Sequence, residues 1–390
     1  MSVVDIVLLL VLVGAIVAGA TRGFVGSIGS LVGFFAGGAA AFWLVPVIND
    51  AWPWQEWRPI VVLASIGLFL IGGASLGAAI GTALRRGVDR TPLRALDRLL
   101  GAGVGLIASA LALSLAGASL AATGIPIVAT AVSSSTVLRT IDRVTPTPVS
   151  QGLAELRGLM LDEGIPRLGD LLTIGTAPNV PPVDLDDPEL ARAAASVARV
   201  SGTAYSCGTS ATGSGFVIAP DRIVTNAHVV AGVDQPVVEL PGLAAREGRI
   251  VYFDPIDDLA VIAVDGLGAR ALPRSPTVPV GTSAAVQGFP LGGPFTMVSA
   301  GVLSVGTAPV PNIYGDGVAP REIYALQAVV RPGNSGGPLL TDAGEVAGVV
   351  FARAENDEDR GYAMTMAELD PVAAEAPGLT ESVSSGRCIG

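Results

Sequence analysis

The sequence predicts two unlike domains in one chain: an all-α, four-helix transmembrane domain at the N-terminus and an all-β domain at the C-terminus. Residues 6–21, 23–49, 59–84 and 99–138 contain no Asp, Glu, Arg or Lys. From about residue 189, short alternating or β-branched runs such as "GFVIAPDRIVTN", "LAVIAV" and "EVAGVVFA" are broken by Gly, Pro and Asp. Charge divides the chain in a similar way. Residues 1–150 hold 9 Arg and 6 acidic residues, a balance of +3; residues 151–390 hold 14 Arg and 28 acidic residues, a balance of −14, and the two give the net −11.

Three of the four uncharged runs exceed the roughly 20 residues a helix needs to cross a bilayer, and the first reaches that length if Ser2 to Asp5 is included. The first run ends in small residues, "AIVAGA", like a cleaved signal peptide. Its leading segment nevertheless carries Asp5 and no basic residue, so we read it as a retained span. The loop "RRGVDRTPLRALDR" holds Arg85, Arg86, Arg90, Arg94 and Arg98, which places it in the cytoplasm by the positive-inside rule. Arg22 is then also inside. The N-terminus, the interfacial Trp52, Trp54 and Trp57, and everything after about residue 130 lie outside. The spacings Gly33/Gly37, Gly73/Gly77/Gly81 and Gly101/Gly105 let helix backbones approach closely in lipid, within the domain or through self-association. None of the uncharged runs has an ionisable residue near its middle, which argues against transport.

The expected domains are residues 1–130 in the membrane, an extracytoplasmic linker over 131–188, and a soluble domain over 189–390. In the linker, "SSSTVLRTIDRVTPTPVS" and "GTAPNVPPVDLDDPEL" read as connectors, and "QGLAELRGLMLDEGIPRLGDLL" between them reads as one or two short helices. The strand spacing beyond residue 189 suits a sandwich or barrel of about 200 residues. The two cysteines, Cys207 and Cys388, fall on the side where disulfides persist, so a bridge between them is expected, the alternative being two free thiols. The acidic C-terminal half and the absence of a basic stripe exclude nucleic acid as a partner. Neither a phosphate-cradling loop nor zinc-type cysteine spacing is present, so no cofactor and no metal is expected.

His228, in "TNAHVV", is the only histidine in the chain. Nucleophilic hydrolysis by serine needs a hydroxyl, one imidazole to take its proton, a carboxylate to hold the imidazole, and backbone N–H groups facing the developing oxyanion. "DPIDDLAVIAV" supplies Asp254, Asp257 and Asp258, and strand alternation cannot choose between the last two. "RPGNSGGPLL" supplies Ser335. Its glycines Gly333, Gly336 and Gly337 allow conformations that let the N–H groups of Gly333 and Ser335 converge.

These segments resemble the chymotrypsin-like serine proteases, and more closely their bacterial HtrA branch. "TNAHVV", "DLAV" and "GNSGGPL" occur in the family's order, and "GSGFVIAPDRIVTNAHVV" and "RGYAM" also fit, over about residues 190–375. With the preceding spans, the chain is similar to the actinobacterial membrane-anchored proteases of the MarP type, which join a colicin-V-production-like membrane domain to a periplasmic trypsin-like domain. The resemblance implies a double β-barrel and an endopeptidase that acts on proteins or peptides through an acyl-enzyme, in a setting of stress resistance. It assigns His228, Asp258 and Ser335 to the triad and the N–H groups of Gly333 and Ser335 to the oxyanion hole. Val329, six residues before Ser335, and Phe351 are assigned to the substrate pocket. Because Val329 is not an aspartate, no preference for Arg or Lys is expected. Arg331 and Arg353 are expected to flank the cleft. The competing expectation is an inactive protease-fold sensor or binding module on the same anchor.

Overall fold

The computed structural model describes residues 3–51, 53, 58–88, 93–122, 125–158, 165–172, 178–207 and 209–389. They form two compact units, one over residues 3–114 and one from residue 115 onward. Trp52, Trp54, Trp57 and Arg90 lie outside the described residues.

The uncharged runs become mostly helical because lipid offers their backbone groups no partner outside the chain. These helices are α1 (Val3–Ala51), α2 (Arg58–Val88) and α3 (Arg94–Ala122). Three described stretches are long and apolar enough to cross a bilayer: Val3–Val45, Ala64–Arg85 and Arg94–Leu120. The first two expected spans therefore share one helix, which is broken at Gly23 (φ 71°, ψ 174°). Side chains from α2 and α3 meet the break. Val25 N–H donates to Asp97 Oδ1 (3.2 Å), the Arg85 guanidinium donates to Thr21 O, and Arg85 Nε lies 2.8 Å from Asp97 Oδ2. Backbone groups freed by the break are thus satisfied by the buried Arg85 and Asp97 side chains. A Cβ on Gly23 would lie 1.9 Å from Asp97 Oδ2. The small-residue spacings serve packing within the chain: a Cβ on Gly33 would lie 2.1 Å from Gly73 O, and one on Gly101 would lie 2.4 Å from Gly19 O. Large apolar side chains such as Phe35, Leu68 and Ile71 point outward.

The second unit begins with α4 (Pro126–Ser133), α5 (Thr136–Val144) and α6 (Thr147–Gly158). The expected connector around residue 140 is helical instead. Ser135 caps α5 by accepting the Leu138 N–H, and Leu138 and Ile141 are buried together on one face. The expected helix over 151–172 is realised only in α6. Residues 159–164 lie outside the described residues, and Arg167–Leu168 is a strand, β1. Pro166 has no N–H to continue a helix, and a sheet edge accepts the extended chain.

The first sheet follows α7 (Pro188–Ala194) and contains β2 (Val197–Ala204), β3 (Thr209–Ala219), β4 (Arg222–Thr225), β5 (Val237–Glu239), β6 (Arg246–Glu247), β7 (Arg249–Asp254) and β8 (Leu259–Ala263). The single helical turn α8 (Ala227–Val230) follows β4, and the strand order is β6-β5-β2-β3-β4-β8-β7. The second sheet holds β9 (Ser283–Gly288), β10 (Thr296–Pro311), β11 (Val318–Gln327), β12 (Pro338–Leu340), β13 (Val346–Ala354) and β14 (Arg360–Met364), before α9 (Met366–Glu375). Its order is β1-β13-β12-β9-β10-β11-β14, and a β13–β14 pairing closes it on itself. Each sheet has its own apolar core, Val200, Val217 and Ile262 in the first and Val286, Leu326 and Val350 in the second. A further cluster joins residues of both, including Phe216, Leu259, Leu340 and Phe351. Each fully buried side chain of this kind contributes about 1.5–3 kcal/mol. Cys207 and Cys388 form a disulfide with their Cα atoms 5.9 Å apart.

Candidate active site

A cavity of about 500 Å³ is lined by His228, Asp258, Gly333, Ser335 and Phe351, together with Arg321 and Ile165. Each group reaches it by a local device. Asn226, at the start of α8, sends Nδ2 to Asp258 O (2.9 Å), which ties the His228 turn to the β7–β8 connection. Asp258 has φ 56°, a left-handed conformation that costs a non-glycine residue about 1–2 kcal/mol. That conformation points its carboxylate at His228. Oδ1 accepts the His228 backbone N–H (2.9 Å), and Nδ1 of the ring lies 2.8 Å from Oδ2 and 3.0 Å from Oδ1. A ring nitrogen held against a carboxylate carries the proton, which leaves Nε2 as the acceptor. Asp257 points elsewhere, with Oδ1 4.0 Å from Arg321 Nε. Burial and the neighbouring Asp254 raise the Asp257 carboxyl pKa, and Arg321 opposes the rise. Nearby, burial and Asp254 push the Tyr252 hydroxyl up to about 12.

The serine loop is braced from the first sheet. Ser214, on β3, is fully buried; its Oγ donates to Gly333 O (2.6 Å) and accepts the Phe289 N–H (2.9 Å), while its own N–H donates to Ser335 O (2.7 Å). Gly333 (φ 90°) and Gly336 (φ 81°) both need the left-handed freedom of glycine. A Cβ would lie 2.4 Å from Phe289 O at Gly333 and 2.2 Å from Ser214 O at Gly336. Asn334 closes the turn by accepting the Arg331 N–H on Oδ1 (2.9 Å). Among the described residues, the N–H groups of Gly333 and Ser335 make no backbone hydrogen bond. Ser335 Oγ and His228 Nε2 are buried and likewise have no hydrogen-bond partner.

The two expected pocket residues are not brought together. Phe351 lines the cleft beside Ser335, whereas Val329, 42% exposed, lines a separate concavity with Gln151, Glu155 and Arg331. Arg331 Nη1 is paired with Glu155 Oε1 of α6 at 2.9 Å. In the cleft, Ile165 is 5% exposed and packs with Val330, Val350 and Ala363, and β1 runs parallel to β13. Pro166 O and Leu168 O accept the N–H groups of Arg353 (3.1 Å) and Glu355 (2.9 Å).

Two family models match the chain: the Colicin V production protein over residues 4–146 and the trypsin-like peptidase domain over residues 213–349. Serine protease Rv3671c of Mycobacterium tuberculosis strain H37Rv is 32% identical over 393 residues, which covers 99% of this chain and 98% of that protein. The chain belongs to this serine protease family. The crystal structure of the Rv3671c protease in its active form is 34% identical, with a TM-score of 0.53 over 58% of this chain and 100% of that one. A probable periplasmic serine endoprotease, DegP-like, of Pseudomonas savastanoi pv. phaseolicola is 36% identical over 151 residues, 37% of this chain and 30% of that protein. A serine protease of this family therefore has a region of apolar N-terminal helices and an all-β chymotrypsin/HtrA-like fold in one chain. Sequence reasoning overlooked three side chains at its site: Ser214, Ile165 and Arg321. Only Ser214 had a signal, the "GSGF" stretch that accompanies the histidine motif.

Proposed function

We propose that the protein is a membrane-anchored serine endopeptidase that works outside the cytoplasm. The observation that carries this reading is the bidentate contact of Asp258 with His228 in the cavity that also holds Ser335. Ser335 Oγ attacks the scissile carbonyl, and His228 Nε2 takes its proton and later delivers it to the leaving amine. Asp258 holds the reactive tautomer and stabilises the imidazolium. The N–H groups of Gly333 and Ser335 receive the oxyanion, and water then hydrolyses the acyl-enzyme by the same route. His228 and Ser335 must still close up for this, as catalytic hydrogen bonds often do only with substrate bound. The apolar neighbours of Ile165 favour an apolar side chain before the cleaved bond. The break at Gly23 supports two crossings by α1 and hence four spans in all. The arginine-rich end of α2 would be cytoplasmic and the protease domain, over about 189–390, periplasmic, joined by the linker and arranged as two barrels.

The test is a fluorophosphonate probe together with a fluorogenic peptide on the purified full-length protein. Labelling and turnover should both disappear in Ser335→Ala and fall by orders of magnitude in His228→Ala, and the double variant should resemble the singles, because the residues act as one unit. A wild-type protein that neither labels nor turns over would favour the sensor module.

A further inference from the structure

Strand β11 carries a cation into the interior. Arg321 is 1% exposed and heads the largest fully buried side chains. Nη2 donates to Pro311 O (2.8 Å), and the guanidinium lies 5.6 Å from the centre of the Phe351 ring. Nε makes no hydrogen bond and faces Asp257 Oδ1 at 4.0 Å. The side chain lines the cavity that contains His228, Asp258 and Ser335. Opposing charges reach it from three places: Asp254 at the end of β7, Asp257 and Asp258 in the β7–β8 turn, and Glu368 in the first turn of α9. Asp257 makes the direct ion pair. Other ionisable groups nearby have assigned roles. Tyr252 bonds Asp254 (3.3 Å), Glu322 accepts the Thr365 hydroxyl (2.7 Å), Glu368 accepts the Glu322 N–H (2.8 Å), and Glu375 acts on Tyr252.

A buried cation is retained only where opposing charges compensate its lost hydration. Here the compensating charges are Asp257, paired at 4.0 Å, and its neighbours, among them Asp258, the carboxylate that grips the imidazole. Burial pushes the guanidinium pKa down while these carboxylates oppose the fall, and an arginine side chain stays protonated regardless. We propose that Arg321 is a positioning residue for the His228–Asp258 pair: anchored on the second sheet, it holds the turn that carries Asp258 and offsets that turn's negative charge at the imidazole. This rests on His228 being the catalytic base.

The sign of the effect follows from the charges. Carboxylates near an imidazole favour its protonated form, and a cation opposes it. Replacing Arg321 by a neutral residue therefore moves the acid limb of kcat/KM to higher pH. The experiment is the pH profile of kcat/KM for the full-length protein, wild type against Arg321→Met, Arg321→Lys and Asp257→Asn. In Arg321→Met the acid limb should move up by about half a pH unit or more. Arg321→Lys should restore its position while kcat stays lowered, because an ammonium lacks the fork that reaches Pro311 O. Asp257→Asn should move the limb the other way, and it decides the matter if the arginine variants fail to fold. A limb unmoved in Arg321→Met and in Asp257→Asn, with rates merely lower, would mean that Arg321 only supports the fold and would overturn the proposal. An inactive wild type would overturn the protease reading itself, and the proposal with it.

Discussion

Asp257 and Asp258 are successive residues, yet the structure gives them opposite surroundings. A backbone φ of 56° turns Asp258 to the His228 ring, while Asp257 stays beside Arg321. Asp258→Asn is expected to lower kcat by about 10⁴-fold through the wrong imidazole tautomer. Asp257→Asn should stay within a few-fold at its optimum pH, and steady-state turnover of one peptide by both variants checks this. The reverse ranking would transfer the orienting role to Asp257. Side-chain alternation separates neighbouring residues into opposite faces but does not say which face holds the histidine. That choice was legible only through the motif. Ser214 shows the opposite limit. It looks like an ordinary strand serine, and its role in bracing the Ser335 loop depends on Gly333 and Phe289, both far along the chain.

At the scale of elements, the linker departs most from its expected form. Residues read as helix or connector lie along β13 and in the cleft because Ile165 finds an apolar site there and the open edge of β13 supplies N–H donors. Ile165→Asp should loosen that seat, since a carboxylate is poorly accommodated among Val330, Val350 and Ala363. Peptide turnover by the full-length protein should then rise several-fold; an unchanged or lower rate would show that the segment does not obstruct substrate. The break in α1 makes a separate prediction. Gly23→Ala places a methyl group against Asp97 and forces a left-handed alanine at a cost of about 1–2 kcal/mol or more. Less monodisperse protein should be recovered in detergent, and wild-type recovery would mean that the helix runs on without the break.

For the whole molecule, the disulfide joins residues 181 apart, and loop-closure entropy sets an upper figure of about 5 kcal/mol for its stabilisation. Part of that is shared with other contacts of the C-terminal tail. Gly232 N–H donates to Ser385 O, Val383 N–H donates to Ile250 O, and Arg387 pairs with Asp316 and stacks 4.4 Å from Tyr314. Ile389 then reaches the cleft lining. Cys388→Ser is expected to lower the melting temperature of the oxidised protein by several degrees and to reduce turnover. Equal melting temperatures would mean that the non-covalent contacts hold the tail unaided.

The sequence by itself determined the division of labour. Long uncharged runs leave a helix in lipid as the stable form of the first third, and short β-branched runs between Gly and Pro make the last half a sheet protein. The order of His, Asp and Ser motifs named the chemistry. All of these are properties of composition and local period, which need no knowledge of what lies opposite. Only the tertiary structure decided where α1 breaks, that the linker enters the cleft, that Val329 and Phe351 face different concavities, and that Arg321 is buried in the wall of the cleft. Each of these depends on a polar or apolar group finding a partner tens to hundreds of residues away. A buried charge or a broken backbone ladder is stable only when that partner arrives, and the fold decides whether it does.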